Sequence, residues 1–253
     1  MGAGRGGALV GAIEGGGTKF VCAIGRDGVV LERTVVATTD ATTTLGECLR
    51  FFEAAGGRLG AVQALGIGCF GPLQLRADAG DYGRLLSTPK AGWSGVDVVA
   101  PFRAALRVPV AIDTDVGAAA RGELTLGAGQ GSASLAYVTV GTGIGGAVVP
   151  SVPGVHVLHA EMGHLPVRRD ARDGDFAGTC PFHGDCLEGL ASGPSILARW
   201  GSPLSALPPV HPGRAMIGGY IGQLAAAIGL LHSPEVLVIG GGVVADAQLL
   251  PEI

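Results

Sequence analysis

Apolar positions along this chain fall into short runs separated by amphipathic stretches and glycine-rich breaks, and their order repeats. Ala8 to Ile13, Lys19 to Ile24 and Val29 to Val36 predict three strands, and the stretch from about Ala41 to Ala55 has the spacing of a helix. Ala64 to Phe70 predicts a further strand that runs into Gly71-Pro72 and a loop through Thr88-Pro89-Lys90-Ala91-Gly92-Trp93. A helix over Val96 to Leu106, a short strand over Val108 to Ile112 and a helix after Asp115 complete the first half. The second half opens in the same way: strand Ser134 to Val140, a turn over Gly141 to Gly146, and strand Ala147 to Val149. A long helix from about Gly213 to Leu231 and the strand Val236 to Ile239 come after it. Strands alternating with helices predict an α/β fold. The repeated glycine-cornered hairpin predicts two similar lobes, 1–117 and 118–253, with a cleft between them.

Three glycine corners succeed strands: Glu14-Gly15-Gly16-Gly17-Thr18, Gly141 to Gly146, and Gly240 to Gly242. Each is either a tight hairpin turn or a cradle whose backbone N–H groups approach phosphate oxygens. Neither the Rossmann spacing nor the closing Gly-Lys-Ser/Thr of a P-loop is present, and Thr beside Gly in two corners favours a nucleotide held between lobes. Asp113-Thr114-Asp115 lies at a strand end. Asp115 is either the N-cap of the next helix or a general base projecting from the C-terminal end of a strand. Glu14 is either a solvated turn carboxylate or a water-mediated partner of Mg²⁺.

His164 and Cys180 have fifteen residues between them, and Cys180, His183 and Cys186 stand at Cys-x-x-His-x-x-Cys spacing. Two thiolates and two imidazoles are the donors Zn²⁺ prefers in a closed tetrahedral shell. The other reading makes the histidines surface residues and the cysteines small core residues. The segment has no apolar period to support that reading, and Glu161 and Glu188 flank the cluster, as expected of a built pocket.

Composition narrows the class. Hydrophobic residues at 47% against 15% charged exclude a disordered chain, and 46 Gly with 15 Pro predict a loop-rich globular protein. A net charge of −4 and 17 basic residues without a run disfavour nucleic acid and anionic lipid as partners. The apolar runs are expected to fall short of the roughly 20 residues of a membrane span. The first residues lack a signal-peptide pattern, and Gly6 stands where a myristoylation motif needs Ser or Thr. Cys22, Cys48 and Cys69 read as reduced core residues, which predicts a cytoplasmic protein.

Taken in order, Ile-Glu-Gly-Gly-Gly-Thr-Lys-Phe, Phe-Gly-Pro-Leu, Ser-Thr-Pro-Lys-Ala-Gly-Trp, Asp-Thr-Asp-Val, Val-Gly-Thr-Gly-Ile-Gly-Gly, Glu-Met-Gly-His, Cys-Pro-Phe-His-Gly-Asp-Cys-Leu-Glu-Gly and Ile-Gly-Gly-Gly-Val resemble the ROK sugar kinases. Within that family they look like the zinc-containing fructokinases, over about Gly11 to Val244. The resemblance implies an actin-like ATPase (ribonuclease H-like) fold of two lobes. It also implies ATP and Mg²⁺ in the cleft, and transfer of the γ-phosphoryl group to a hexose, for a fructokinase the 6-hydroxyl of fructose. Asp115 falls at the family's catalytic base. Gly16, Gly17, Thr18 and Lys19 match the first phosphate segment, with Glu14 before it, and Gly141, Thr142, Gly143 and Gly145 match the second. Gly241 and Gly242 fall near adenosine. Gly71, Pro72, Thr114, Glu161, His164 and Glu188 fall on the sugar side, with His164 also a zinc ligand.

A homodimer is common among the relatives. The chain departs from the pattern at Glu14, usually Asp in the wider family, at Gly117, usually Asn in fructokinases, and at Gln74, often Asp. The family's closing C-terminal helix is also missing from the pattern, which predicts a truncated chain. A broad glucokinase or mannokinase and an inactive sugar-binding chain are the alternatives. The family's sugar-responsive regulators are disfavoured, because nothing resembling a helix-turn-helix precedes the first strand.

Overall fold

A computed structural model describes residues 7–150, 160–245 and 247–253 of the chain. Gly6, and with it the reading of the first residues, lies outside them. The chain divides into two compact units, Met1–Ala119 and Ala120–Ile253.

The first unit is built on β1 (Val10–Gly15), β2 (Lys19–Arg26), β3 (Val29–Ala37), α1 (Ala41–Leu59), β4 (Ala64–Cys69), α2 (Ala100–Leu106) and β5 (Val110–Thr114). Its sheet has the order β3-β2-β1-β4-β5, with antiparallel hairpins on one side of β1 and parallel β4 and β5 on the other. Asp27 and Gly28, at φ 53° and 78°, turn β2 into β3, the positive pair that a two-residue hairpin requires. The Asp40 carboxylate caps α1 by accepting from the Thr43 amide at 2.9 Å, and Leu45, Cys48, Phe52 and Ala55 form the helix's buried stripe. Phe52 lies over Gly11, where any Cβ would meet its ring at 2.8 Å, so β1 carries glycine there. Burial of a ring of this size contributes roughly 2–3 kcal/mol.

The boundaries of β5 and of the second helix differ from the sequence expectation. β5 spans Val110–Thr114 rather than residues 108–112, because its pairing with β4 starts at Leu65↔Val110 and runs on to Cys69↔Thr114. The second helix starts at Ala100 and not Val96. Asp97 Oδ1 accepts from the Val99 and Ala100 amides at 3.0 and 2.8 Å and fixes the entry turn just before Pro101.

α3 (Asp115–Leu126) carries the unit boundary within it. The second unit contains β6 (Ser134–Val140), β7 (Ile144–Pro150), α4 (Leu187–Ala191), α5 (Gly193–Trp200), α6 (Pro212–His232) and β8 (Val236–Gly240). Its sheet, β7-β6-β8, repeats the centre of the first: an antiparallel hairpin on one side of β6 and a parallel strand on the other. α6 corrects the expectation on apolar runs, since its 21 residues, with an 18-residue stretch of mean hydropathy 1.4, are long and apolar enough to cross a membrane. In this fold it is a core helix. Met216, Ile217, Tyr220, Ile221, Leu224 and Ile228 pack with Ala136, Val138 and Val140 of β6. A short 3₁₀ turn, Ala247–Glu252, comes after β8.

Candidate functional site

The register of the first sheet places its chemistry. Gly15 pairs with Cys69 and Cys69 with Thr114, so β1, β4 and β5 end at one level. The corner at 16–18, the cis Gly71-Pro72 bond and Asp115 therefore emerge along that C-terminal edge, where α/β proteins bind ligands. Glu14 and Gly15, expected in the turn, belong to β1. Glu14 is exposed between Val21 and Gly68, and a Cβ on Gly15 would meet the Phe20 ring at 2.8 Å and Cys69 Sγ at 3.0 Å.

All three carbonyls of the first corner are held. Thr38 Oγ1 donates to Gly16 O at 2.8 Å, Lys90 Nζ to Gly17 O at 2.6 Å and the Thr38 amide to Thr18 O at 3.0 Å. Gly16 N donates to Lys19 O at 2.9 Å, while the Gly17 and Thr18 amides carry no acceptor among the described residues. Space beyond Gly17 is open, and Thr18 and Lys19 are exposed. This is the geometry of an anion cradle, with oxygens turned in and tip amides out.

At the other end of the edge, Thr114 is the cap of α3. Its buried hydroxyl accepts from the Gly117 amide at 3.0 Å. Asp115 is half-buried in the first turn, with Oδ1 accepting from the Val116 amide at 2.9 Å. Burial first, and then the negative field of Asp115, push the Cys69 thiol up, so Cys69 stays protonated beside the carboxylate. Gly117, usually Asn in fructokinases, leaves room for its neighbour: a Cβ there would lie 2.4 Å from Asp113 Oδ1, which would have to turn aside.

The second corner is tighter. Val140 pairs with Ile144, leaving Gly141, Thr142 and Gly143 as the turn. Gly145 and Gly146, expected in the turn, are in β7 opposite Thr139 and Val138. Glycine is needed at 146 because Met162 Sδ would lie 2.9 Å from a Cβ. Neighbouring elements hold this corner: Gly193 N, opening α5, donates to Gly141 O at 2.7 Å, and Val243 N donates to Val140 O at 2.9 Å. Glu188 Oε2 accepts from the Ile144 amide at 2.9 Å. β8 ends level with β6, through Thr139↔Gly240, so Gly241 and Gly242 meet the corner, Gly241 at φ 101° against Val140 O. Between them lies a cavity of about 340 Å³ lined by Gly141, Thr142, Ile196, Leu204, Gly242 and Val243. Backbone amides at one end and aliphatic side chains at the other suit a phosphate attached to a flat apolar base.

His164, Cys180, His183 and Cys186 come together, with one donor atom from each inside a span of 4.8 Å. His164 Nδ1 lies 3.6 Å from Cys180 Sγ and 3.5 Å from Cys186 Sγ, and His183 Nδ1 lies 3.8 Å from Cys180 Sγ. Zinc bond lengths and tetrahedral angles require about 3.5 Å between nitrogen and sulfur, so the set has the dimensions of a zinc shell. His164 Nε2 faces outward, 4.0 Å from Glu161 Oε2, as an outer carboxylate orients a metal-bound imidazole. Behind the cluster, Arg199 grips Asp173 through Nε at 2.6 Å and Nη2 at 2.8 Å, both side chains buried, and Tyr220 Oη donates to Asp173 at 2.7 Å. Arg199 Nη1 also donates to Leu190 O of α4 and lies over the Phe176 ring.

Sequence reasoning misses Lys90, Thr38 and the aliphatic wall of the cavity. Lys90 stands inside the Ser-Thr-Pro-Lys-Ala-Gly-Trp motif without a role of its own, because its contact is 73 positions away. The aliphatic part of the α5 wall, Ile196 and Leu197, carries no motif signal.

The ROK family profile matches residues 10–253. The chain is 40% identical over 247 residues to a putative fructokinase of Bacillus subtilis, covering 97% of this chain and 81% of that protein. It is 43% identical to a fructokinase of Zymomonas mobilis, covering 93% and 80%. Among solved structures, a ROK hexokinase from Thermus thermophilus superposes with a TM-score of 0.74 at 27% identity, covering 96% of this chain and 87% of that one. A ROK glucokinase from Streptomyces griseus, solved with glucose and AMPPNP, gives 0.72 at 24% identity, covering 97% and 87%.

Proposed function

This chain belongs to the ROK family and has its actin-like ATPase fold, and from that membership we propose that it is an ATP-dependent fructokinase making fructose 6-phosphate. The observation that carries the reading is the alignment of Gly15, Cys69 and Thr114, which brings an open amide corner and a half-buried carboxylate to one sheet edge.

Asp115 takes the proton of the sugar hydroxyl as its oxygen bonds to the γ-phosphorus, and the bond from that phosphorus to the ADP oxygen breaks. Such a transition state has little covalent work for the protein, so positioning and charge dominate. The Gly17 and Thr18 amides hold phosphate oxygens, and the Thr142 and Gly143 amides form a second phosphate corner. The 340 Å³ cavity takes the adenosine. Mg²⁺ neutralises phosphate charge when bound, and Glu14, exposed at the end of β1, would hold it through water. His164, Cys180, His183 and Cys186 would hold Zn²⁺, which fixes the segment carrying Glu161 and Glu188.

Coupled ADP release across fructose, glucose and mannose tests the reading. We expect the highest kcat/KM on fructose, and Asp115→Asn to lower kcat by about 10²- to 10⁴-fold. Equal kcat/KM on glucose would replace the fructokinase assignment with a broad hexokinase. Full kcat in Asp115→Asn would remove the base.

A further inference from the structure

We propose that Lys90 is a phosphate-binding residue, its ammonium seated on the first glycine corner to meet the terminal phosphate of the nucleotide. This rests on the kinase reading and adds to it a residue outside both glycine motifs.

Composition is the first argument. Of 17 basic residues, 15 are arginine, and the only two lysines are Lys19 and Lys90. Lys19 leaves the first corner along β2 and Lys90 reaches it from a distant loop. Lysine differs from arginine in being a compact charge with three donors on a flexible stem, which suits a tetrahedral phosphate approached closely. A chain that otherwise uses arginine keeps both its lysines at a corner whose tip amides are open.

The local wiring is the second argument. Lys90 spends one N–H on Gly17 O and retains two. Satisfying that carbonyl needs no charge, since a neutral hydroxyl, Thr38, does the same for Gly16 O. A cation beside outward amides adds what amides lack, a full positive charge, on an edge that also carries Glu14, Asp113 and Asp115. Opposite charge beside those carboxylates favours a phosphate settling at this corner.

The loop is also built to hold the side chain in place. Trp93 is fully buried, stacks on Phe20 at 5.4 Å and 25°, and donates from Nε1 to Thr39 O at 2.9 Å. Thr88 and Ser94 close the loop reciprocally, through Thr88 N to Ser94 Oγ at 3.1 Å and Ser94 Oγ to Thr88 O at 3.2 Å. Trp93 N donates back to Lys90 O at 3.1 Å. Lys90 therefore arrives from a fixed backbone, so little ordering is left for the moment of binding.

The test is calorimetric titration of Mg-ATP, Mg-ADP and fructose into wild type, Lys90→Met and Lys90→Arg, with thermal unfolding alongside. Lys90→Met should weaken ATP binding by about tenfold to a hundredfold, the loss of one charge-assisted hydrogen bond, and ADP binding by less. Fructose affinity and the unfolding temperature should hold, and Lys90→Arg should recover part of the ATP loss. Equal losses on ATP and ADP with a lowered unfolding temperature would make Lys90 a structural brace. A loss confined to fructose would make it a sugar contact. Wild type that binds neither nucleotide sinks the kinase reading itself, whereas wild type that binds ATP no better than Lys90→Met sinks only the lysine assignment.

Discussion

At the first glycine corner a cation, Lys90, meets a backbone carbonyl; at the second a carboxylate, Glu188, meets a backbone amide. The first brace leaves the tip amides open and comes from a loop closed by its own hydrogen bonds and a buried tryptophan. The second stands two residues after Cys186, so we expect its placement to depend on the His/Cys donor cluster. Two hairpins with the same strand pattern thus carry different braces, a lysine from a distant loop in one and a carboxylate beside a knot of donors in the other.

Stripping the metal should separate them most. A chelator that removes about one Zn per chain should lower the unfolding temperature by more than roughly 10 °C, because a structural zinc contributes folding free energy outright. Hydrogen exchange should lose protection in β6 and β7 while β1 and β2 keep theirs. Equal loss in both hairpins would refute the dependence.

Next in size is the buried pair behind the cluster. Asp173→Ala leaves Arg199 uncompensated and should cost about 3–5 kcal/mol in denaturant unfolding. A smaller contrast comes from the corners themselves. A Cβ at Gly143 meets Glu188 Oε2 at 2.8 Å, so Gly143→Ala should cost about 1–3 kcal/mol as Glu188 releases the Ile144 amide. Gly17 faces open space, and Gly17→Ala should stay within about 0.5 kcal/mol.

A pH step gives a further test of the second unit. Burial first, and then the Asp173 carboxylate, hold the Tyr220 phenol up at about 12, above its ordinary 10. A folded-state value above the unfolded one means full stability below pH 10 and progressive loss as pH rises to 12. Melting curves across that range should show the step in wild type and not in Tyr220→Phe.

Much of this is legible in the sequence. β1 to β4, α1 and α6 obey their apolar periods, and four donors at metal spacing do come together. The parts that do not show have physical causes. Gly145 and Gly146 read as a turn because a sequence does not reveal Met162 packed against the strand. α4 and α5 leave no signal because helices of 5 and 8 residues in a glycine-rich segment are held by tertiary contacts more than by propensity. Glu188 is legible as functional, but its bond to the Ile144 amide joins positions 44 residues apart. Thr114 also caps α3, a role that depends on where the helix starts.

The space above Gly117 is taken by the Asp113 carboxylate, which accepts from the Thr114 amide at 2.8 Å. Any side chain at 117 therefore sets the rotamer of Asp113, because the carboxylate end must swing aside to make room. Position 117 thus tunes how a carboxylate is held at the end of β5 without any change at 113 itself.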